Sequence, residues 1–395
     1  MKCTRRKEMF VLVALFIGVL ISFLGAEAFF RWQMPFVGSS EIKFMVWQPN
    51  LRMEIRPPAG LFRGMGFPSR FTTNSEGVRG PERNLKEWQR TYSILCLGGS
   101  TTEMLFLDDS EVWTYLIFDR LKNYLGNKKP VWVGNAGKAG RKAIDNLLDM
   151  KYLVPQFNVK AVIIMVGVND LLWALGGKSL MIDINNKEML KEHLPKLYAK
   201  WSLEDKDTSD NLLRLLSLWK YYQQSKLKPT PTPLQVQLDA GEFFLKLRER
   251  RKKAEVINDQ PDLSVYLSEY RRILSEMART AKARKERLIF LTQPSIWRKD
   301  LTQEELDSLW TGAKGDLFNY DVLPSFYDPE VLASLLEQFN WVMLEVCREK
   351  EVECVDMASK VPKNGEMFFD DCHFTEAGSA AVAKAMVEYL VSHPE

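Results

Sequence analysis

The strongest constraint on the fold is an apolar run, Tyr92-Ser93-Ile94-Leu95-Cys96-Leu97, that stops abruptly at Gly98-Gly99-Ser100-Thr101-Thr102. An apolar run of strand length bounded by two glycines predicts a β-strand that turns sharply at its C-terminal end, because glycine takes positive φ at no steric cost. Comparable strand signals recur at residues 131–135, 161–166, 288–291 and 352–355. Between them lie helical runs at residues 111–125, 143–152 and 263–281, a helix opened by Asp328-Pro329 and reaching about residue 347, and a last one from residue 376 to about 391. Asp at an N-cap with Pro at the first helical position is a recurrent way to start a helix. Strands alternating with helices predict a three-layer α/β fold around a parallel five-stranded sheet. The unbroken apolar run at 161–166 suits a strand buried on both faces.

Two regions stand outside this alternation. Lys2, Arg5, Arg6 and Lys7 precede a stretch from Met9 to Ala26 without a charged residue. An uncharged run of ~18 residues is long enough to cross a bilayer. The chain therefore reads as a basic cytosolic tail (1–8), a transmembrane signal anchor (9–30), an irregular pre-domain segment (31–90) and a main domain (91–395). The basic flank predicts a single-pass topology with the amino terminus in the cytosol and the domain across the membrane, on the periplasmic side in a bacterium. Ala26-Glu27-Ala28 offers a signal-peptidase site, but the apolar run exceeds a signal h-region, which favours a retained anchor. The second region, residues 176–261, is far longer than a βαβ crossover needs. It reads as an inserted helical subdomain that shapes access to a site or offers a surface to a protein partner, with its basic run at 248–253 forming one solvated helix face.

Composition excludes several classes. A formal charge of +3 over 395 residues carries no nucleic-acid footprint. Five scattered cysteines (Cys3, Cys96, Cys347, Cys354, Cys372) contain no Cys-x-x-Cys pair and are odd in number, so neither a zinc pattern nor a disulfide framework is expected. The spacing of Gly134, Gly137 and Gly140 is not that of a dinucleotide loop, and Leu172 stands where a P-loop before Gly177-Lys178-Ser179 needs glycine. No cofactor and no metal is expected.

Four positions then converge on one sheet edge, where open α/β sheets bind their ligands. Ser100 follows the first strand and is a candidate nucleophile. Gly140 follows the second, with a backbone N–H able to donate. Asn169, in Gly167-Val168-Asn169-Asp170, follows the third, and its amide can donate to an oxyanion. Among only three histidines, His373 sits in Phe369-Asp370-Asp371-Cys372-His373, where an acidic neighbour can orient its imidazole. If that loop is extended, Asp371 shares the side of His373 and Asp370 opposes it.

Together these residues resemble the SGNH (GDSL-like) hydrolase superfamily. The name-giving residues match Ser100, Gly140, Asn169 and His373, and Asp370 matches the family's acid three residues before the histidine. Asn74 to Glu82 ahead of Gly-Gly-Ser-Thr resembles a membrane-anchored bacterial subgroup, while Gly99 departs from the family's Asp. The resemblance, over roughly residues 74–392, implies a flavodoxin-like sheet and ester hydrolysis through an acyl-enzyme: Ser100, Asp370 and His373 as catalytic triad, and Ser100, Gly140 and Asn169 as oxyanion hole. The expected substrate is an acylated glycan or lipid ester, in deacetylase-type chemistry. An O-acyltransferase using the same residues, or a non-catalytic scaffold on the same fold, are the alternatives.

Overall fold

Along the chain the strands are β1 (Arg52–Ile55), β2 (Ser69–Thr72), β3 (Tyr92–Gly98), β4 (Val131–Asn135), β5 (Ala161–Met165), β6 (Gln235–Leu238), β7 (Val256–Ile257), β8 (Arg287–Leu291), β9 (Phe326–Tyr327) and β10 (Glu353–Val355). The main helices are α1 (Ser100–Glu103), α2 (Trp113–Leu125), α3 (Ala143–Leu148), α4 (Val168–Leu175), α5 (Lys187–Leu197), α6 (Glu242–Lys253), α7 (Ser264–Arg284), α8 (Pro329–Lys350) and α9 (Glu376–Ser392). This computed structural model describes residue 18 and residues 44–201, 235–238 and 241–394. The expected anchor at 9–30 and the helical run near 212–222 lie outside the described residues. Among the described residues no helix is long and apolar enough to cross a membrane.

The central sheet has the order β10-β8-β5-β3-β4, and every pairing is parallel. All residues of β3 and β5 are buried, as expected for strands covered on both faces. Helices α2 and α9 pack on each other, and α7 packs on α8 and α3. The chain leaves β3 toward β4 and returns to place β5 on the other side of β3. That reversal opens a crevice at the C-terminal ends of β3 and β5, the usual ligand position in such sheets. The helix expected at Asp328-Pro329 forms as read, with the Asp328 carboxylate accepting from the Glu330 N–H at 2.8 Å.

Several expectations need correction. The first core helix starts at Trp113, because residues 100–103 make a short helix of their own and Asp108 holds a turn by accepting from Ser110. The helix expected over 143–152 is interrupted by a π-turn at Asp149–Leu153. The pre-domain segment is more than a linker: β1 pairs antiparallel with β2 and parallel with β6, the strand supplied by the insertion. Leu51, Ile55, Leu61, Phe62 and Phe71 from this segment form a second core with Phe106, Phe244 and Phe369. Cys347 and Cys354 are joined in a disulfide, which an odd total of cysteines did not suggest.

The basic run is not a solvated face either. Arg248 donates to the carbonyls of Leu61 and Phe369, Arg250 to those of Asn319 and Val322, and Arg251 to those of Thr311 and Tyr327. These arginines satisfy loop carbonyls that have no partner of their own in a sheet or helix. The exposed residues of the run are Glu249, Lys252 and Lys253.

Candidate active site

The glycines after β3 set the approach of the site residues. At Gly98, with φ +154°, a Cβ would lie 2.2 Å from the Thr102 hydroxyl and 2.7 Å from the Met165 carbonyl. At Gly99 a Cβ would lie 2.5 Å from the Asn169 amide nitrogen. No side chain larger than hydrogen fits either place without displacement, so Gly99 is what lets Asn169 come close. Ser100 then opens the short helix α1 just beyond the strand.

The Ser100 hydroxyl lies 2.8 Å from His373 Nε2. On the other side of the ring, Nδ1 lies 2.8 Å from Asp370 Oδ2 and 2.9 Å from Oδ1. Asp370 is fully buried. Its Oδ1 also accepts from the backbone N–H groups of Cys372 (3.0 Å) and His373 (2.9 Å), and its Oδ2 accepts from the Trp310 indole at 2.9 Å. The loop is therefore a turn built on Asp370, not an extended segment. Asp371 faces away, accepting from the Trp297 indole and the Trp310 and Thr311 backbones at 2.8–3.1 Å. The imidazole stacks near-parallel between Trp310 and Phe369, with centroids 6.3 and 5.5 Å away.

Burial alone would push the imidazole toward its neutral form, but the Asp370 carboxylate outweighs it and holds the His373 pKa well above its ordinary value. Asp370 is shifted the opposite way: burial would raise it, and His373 together with the Trp310 and backbone donors lowers it. The pair thus favours a protonated imidazole facing a carboxylate, the charge state that follows proton uptake from a hydroxyl.

Across from the histidine, the loop after β4 is fixed by buried carboxylates. Gly140 turns at φ +77° with open space around it. The next three residues are each pinned. The Arg141 side chain pairs with buried Asp149, the Lys142 N–H donates to Asp145 at 2.8 Å, and the Ala143 N–H donates to Asp170 at 2.9 Å. Burial pushes the carboxyls of Asp149 and Asp170 up to about 6 and about 7. The insertion completes two of these anchors: Tyr198 donates to Asp149 at 2.7 Å, and His193 Nε2 lies 2.7 Å from Asp145. The Asn169 amide donates one N–H to the Arg141 carbonyl at 2.9 Å. An amide has two such hydrogens, so the second remains for a ligand.

Sequence reasoning placed Ser100, Gly140, Asn169, Asp370 and His373, and the structure gathers all five around one cavity of about 920 Å³, which Ser100, Gly140, Asn169 and His373 line. It missed Arg79, Glu103, Arg141 and Trp310. Buried Arg79 sits in the turn cluster at residues 74–82 and donates to the carbonyls of Glu103, Met104 and Leu107, clamping the segment behind Ser100. The Asn-x-x-x-Val-Arg-Gly pattern was its only signal. Glu103 lines the cavity, and burial pushes its carboxyl up to about 7. The rest of the wall is largely apolar, with Phe106, Phe243, Phe244, Trp310, Phe318 and Phe369. Among the described residues, the grouping with metal-ligand types is Asp370, Cys372 and His373, whose donor atoms lie within 4.8 Å of one another. Burial raises the Cys372 thiol, disfavouring the thiolate that a metal takes.

No curated protein matches the chain. Among solved structures it is similar to a variant of an acetyl xylan esterase from Geobacillus stearothermophilus, at 15% identity and TM-score 0.40, over 75% of this chain and 93% of that one. It is also similar to an alpha/beta hydrolase enzyme from the metagenome of Lake Arreo, Spain, at 12% identity and TM-score 0.39, over 77% of this chain and 97% of that one. A model of the GDSL-like Lipase/Acylhydrolase family matches residues 96–381, from within β3 to within α9. That span takes in every strand of the central sheet, and the chain belongs to this family: it is a carboxylic ester hydrolase of the GDSL type.

Proposed function

We propose that the chain is a serine esterase that works through an acyl-enzyme on Ser100. The observation that carries this reading is the line of contacts from Ser100 Oγ through His373 to Asp370, at 2.8 Å on each side of the ring. His373 Nε2 takes the hydroxyl proton as Oγ attacks the ester carbonyl. The N–H groups of Ser100 and Gly140 and the free N–H of the Asn169 amide receive the oxyanion. His373 then gives its proton to the leaving alcohol. Water, deprotonated in turn by the same ring, releases the carboxylic acid and restores Ser100. Asp370 keeps the ring in the tautomer with Nδ1–H and stabilises its protonated form.

The substrate is an acylated lipid or glycan on the far side of a membrane. The anchor pattern at residues 1–30 supports this, as does the Cys347–Cys354 disulfide, a bond that persists in oxidising compartments. The aromatic wall favours an acyl group longer than acetyl, since a cavity of about 920 Å³ is far larger than a methyl group needs.

The test is labelling by a fluorophosphonate together with hydrolysis of a nitrophenyl ester series. Labelling and turnover should both vanish in Ser100→Ala, and turnover should rise from acetyl to longer chains. Persistent labelling of Ser100→Ala would reject the nucleophile, and a maximum at acetyl would reject the long-chain reading. A reporter fused after Glu395 should be active only outside the cytosol.

A further inference from the structure

The exposed lining of the cavity mixes charged side chains (Lys178, Glu242, Lys246 and Asp316) with aromatic ones. Two of its lining residues, Phe318 and Phe243, are exposed and mark its mouth, and large apolar side chains continue outward from them. Tyr320, Val322 and Leu323 of the segment at 316–323 are 49–61% exposed, and Leu245 on α6 is 44% exposed. Exposed apolar residues are ordinary when scattered, but a contiguous group beside a ligand cavity is a feature of interaction sites.

This segment is held by its backbone. Arg250 donates to the carbonyls of Asn319 (2.8 Å) and Val322 (2.7 Å), and its guanidinium lies 4.9 Å from the Tyr320 ring centroid. Phe318 N–H and Asp321 N–H are taken up by Asp316 and Asn319 side chains. With the polar backbone engaged, the side chains of Phe318, Val322 and Leu323 are what the segment presents to its surroundings.

Beside the apolar tip runs a groove of about 450 Å³ between α6 and this segment, lined by Leu245, Lys246, Glu249, Arg250, Lys253, Tyr320 and Leu323. It sets three cations against one carboxylate on aliphatic and aromatic walls. The other acids of this segment and of α6 are Asp316, 3.7 Å from Lys178, with Asp321 and Glu242, while Glu249 itself lies 3.8 Å from Lys253. Apolar side chains at a tip with cations set beside them match the layering of an anionic bilayer, where hydrocarbon lies beneath a sheet of negative headgroups.

We infer that the face formed by residues 316–323 and α6 docks on an anionic lipid bilayer, inserting Phe318, Val322 and Leu323 and setting Lys246 and Lys253 on the headgroups, so that ester substrates pass from the lipid phase into the cavity. The inference rests on the esterase reading of Ser100 only for this last step.

The test uses the full chain with Cys3→Ser, because Cys96 and Cys372 are buried and Cys347 and Cys354 are joined in the disulfide. Val322→Cys carries an environment-sensitive fluorophore, and the protein is added to vesicles of phosphatidylcholine with or without phosphatidylglycerol. Every variant keeps the same amino-terminal segment, so differences between variants report on this face. The dye should shift to the blue on vesicles with phosphatidylglycerol, less on phosphatidylcholine alone, and the shift should be lost in Lys253→Glu. Separately, Val322→Asp with Lys253→Glu should slow turnover of a long-chain nitrophenyl ester held in the vesicles about tenfold, equivalent to ~1.4 kcal/mol. Hydrolysis of a short soluble ester should stay within about twofold. No blue shift on either vesicle overturns docking, and an equal shift on both overturns the anionic bilayer as partner. A shift that needs protein concentration and no vesicle means a second copy covers the face, which also overturns it. If the unaltered chain fails on the soluble ester, the Ser100 reading falls, while the dye still decides docking.

Discussion

The two walls of the cavity are built from opposite materials. On one side, the loop after β4 is pinned residue by residue to Asp145, Asp149 and Asp170, all buried. On the other, Phe106, Phe244 and Phe369 pack into a second core with no directional bond among them. A hydrogen bond to a buried carboxylate holds one geometry, and its loss leaves an unpaired group. Apolar packing tolerates changes of shape as long as volume is kept. On the acyl-enzyme reading proposed above, the polar wall would set the position of the reacting atoms and the apolar wall which acyl chain is accepted. Substitutions in the first should change kcat at constant chain-length preference, and substitutions in the second should do the reverse.

The largest effect expected is at Asp370. Asp370→Asn should lower kcat by ~10⁴-fold, the loss seen when a serine-protease triad loses its acid. It should also move the acid limb of the pH profile. The reactive imidazole is neutral, and Asp370 raises its pKa, so activity is lost as pH falls through a value above the ordinary ~6.5 of histidine. Removing the carboxylate should bring that limb down in pH while lowering the plateau. Asp371→Asn should instead reduce thermal stability, because that carboxylate accepts three buried N–H groups. A larger kcat loss at Asp371 would reverse the assignment.

Asn169→Ala comes next, with kcat down by ~10²–10³-fold and KM little changed, as for loss of one oxyanion donor. An equal loss across all chain lengths is the signature of the polar wall. A selective loss on long chains would move Asn169 to the other category. Phe244→Ala tests the apolar wall: preference between short and long nitrophenyl esters should shift by roughly tenfold, with the acetyl ester hardly affected. The smallest effect is Tyr198→Phe. It removes one hydrogen bond to Asp149, ~1 kcal/mol, and should slow kcat by about fivefold at unchanged chain preference. A change in preference there would show that the insertion acts on the substrate side as well.

The central sheet was largely legible because its strands are continuous apolar runs, and a strand buried on both faces has no other pattern to show. Ser100, Gly140 and Asn169 were legible because each follows a strand and so falls on one edge, and His373 with Asp370 because the chain has only three histidines and this one has an acidic neighbour. What the sequence could not show depended on distant partners. The choice between Asp370 and Asp371 turned on whether the loop is extended, and only the Cys372 and His373 N–H bonds to Asp370 reveal the turn. Arg248, Arg250 and Arg251 read as a solvated face because their carbonyl partners, at residues 61, 311–327 and 369, are remote in the chain. Arg79 read as part of a surface turn for the same reason. The insertion read as a segment shaping access to the site or offering a partner surface, and the contacts by which it supplies Tyr198 and His193 to one wall and Phe244 to the other had no sequence signal.

The parallel pairing of β1 with β6 has a consequence for how such a chain can be shortened or inherited. Residues 52–55 and 235–238 lie on opposite sides of Ser100 in sequence, and each is the other's neighbour in the small sheet. Deleting the segment before β3 strips β6 of its partner and takes Leu61, Phe62 and Phe71 out of the second core. Deleting the insertion leaves β1 paired with β2 alone and removes Phe244. The two segments are one heritable module split by the domain it serves, so a lineage that discards one half should discard the other and be left with an open, narrower-purpose active site.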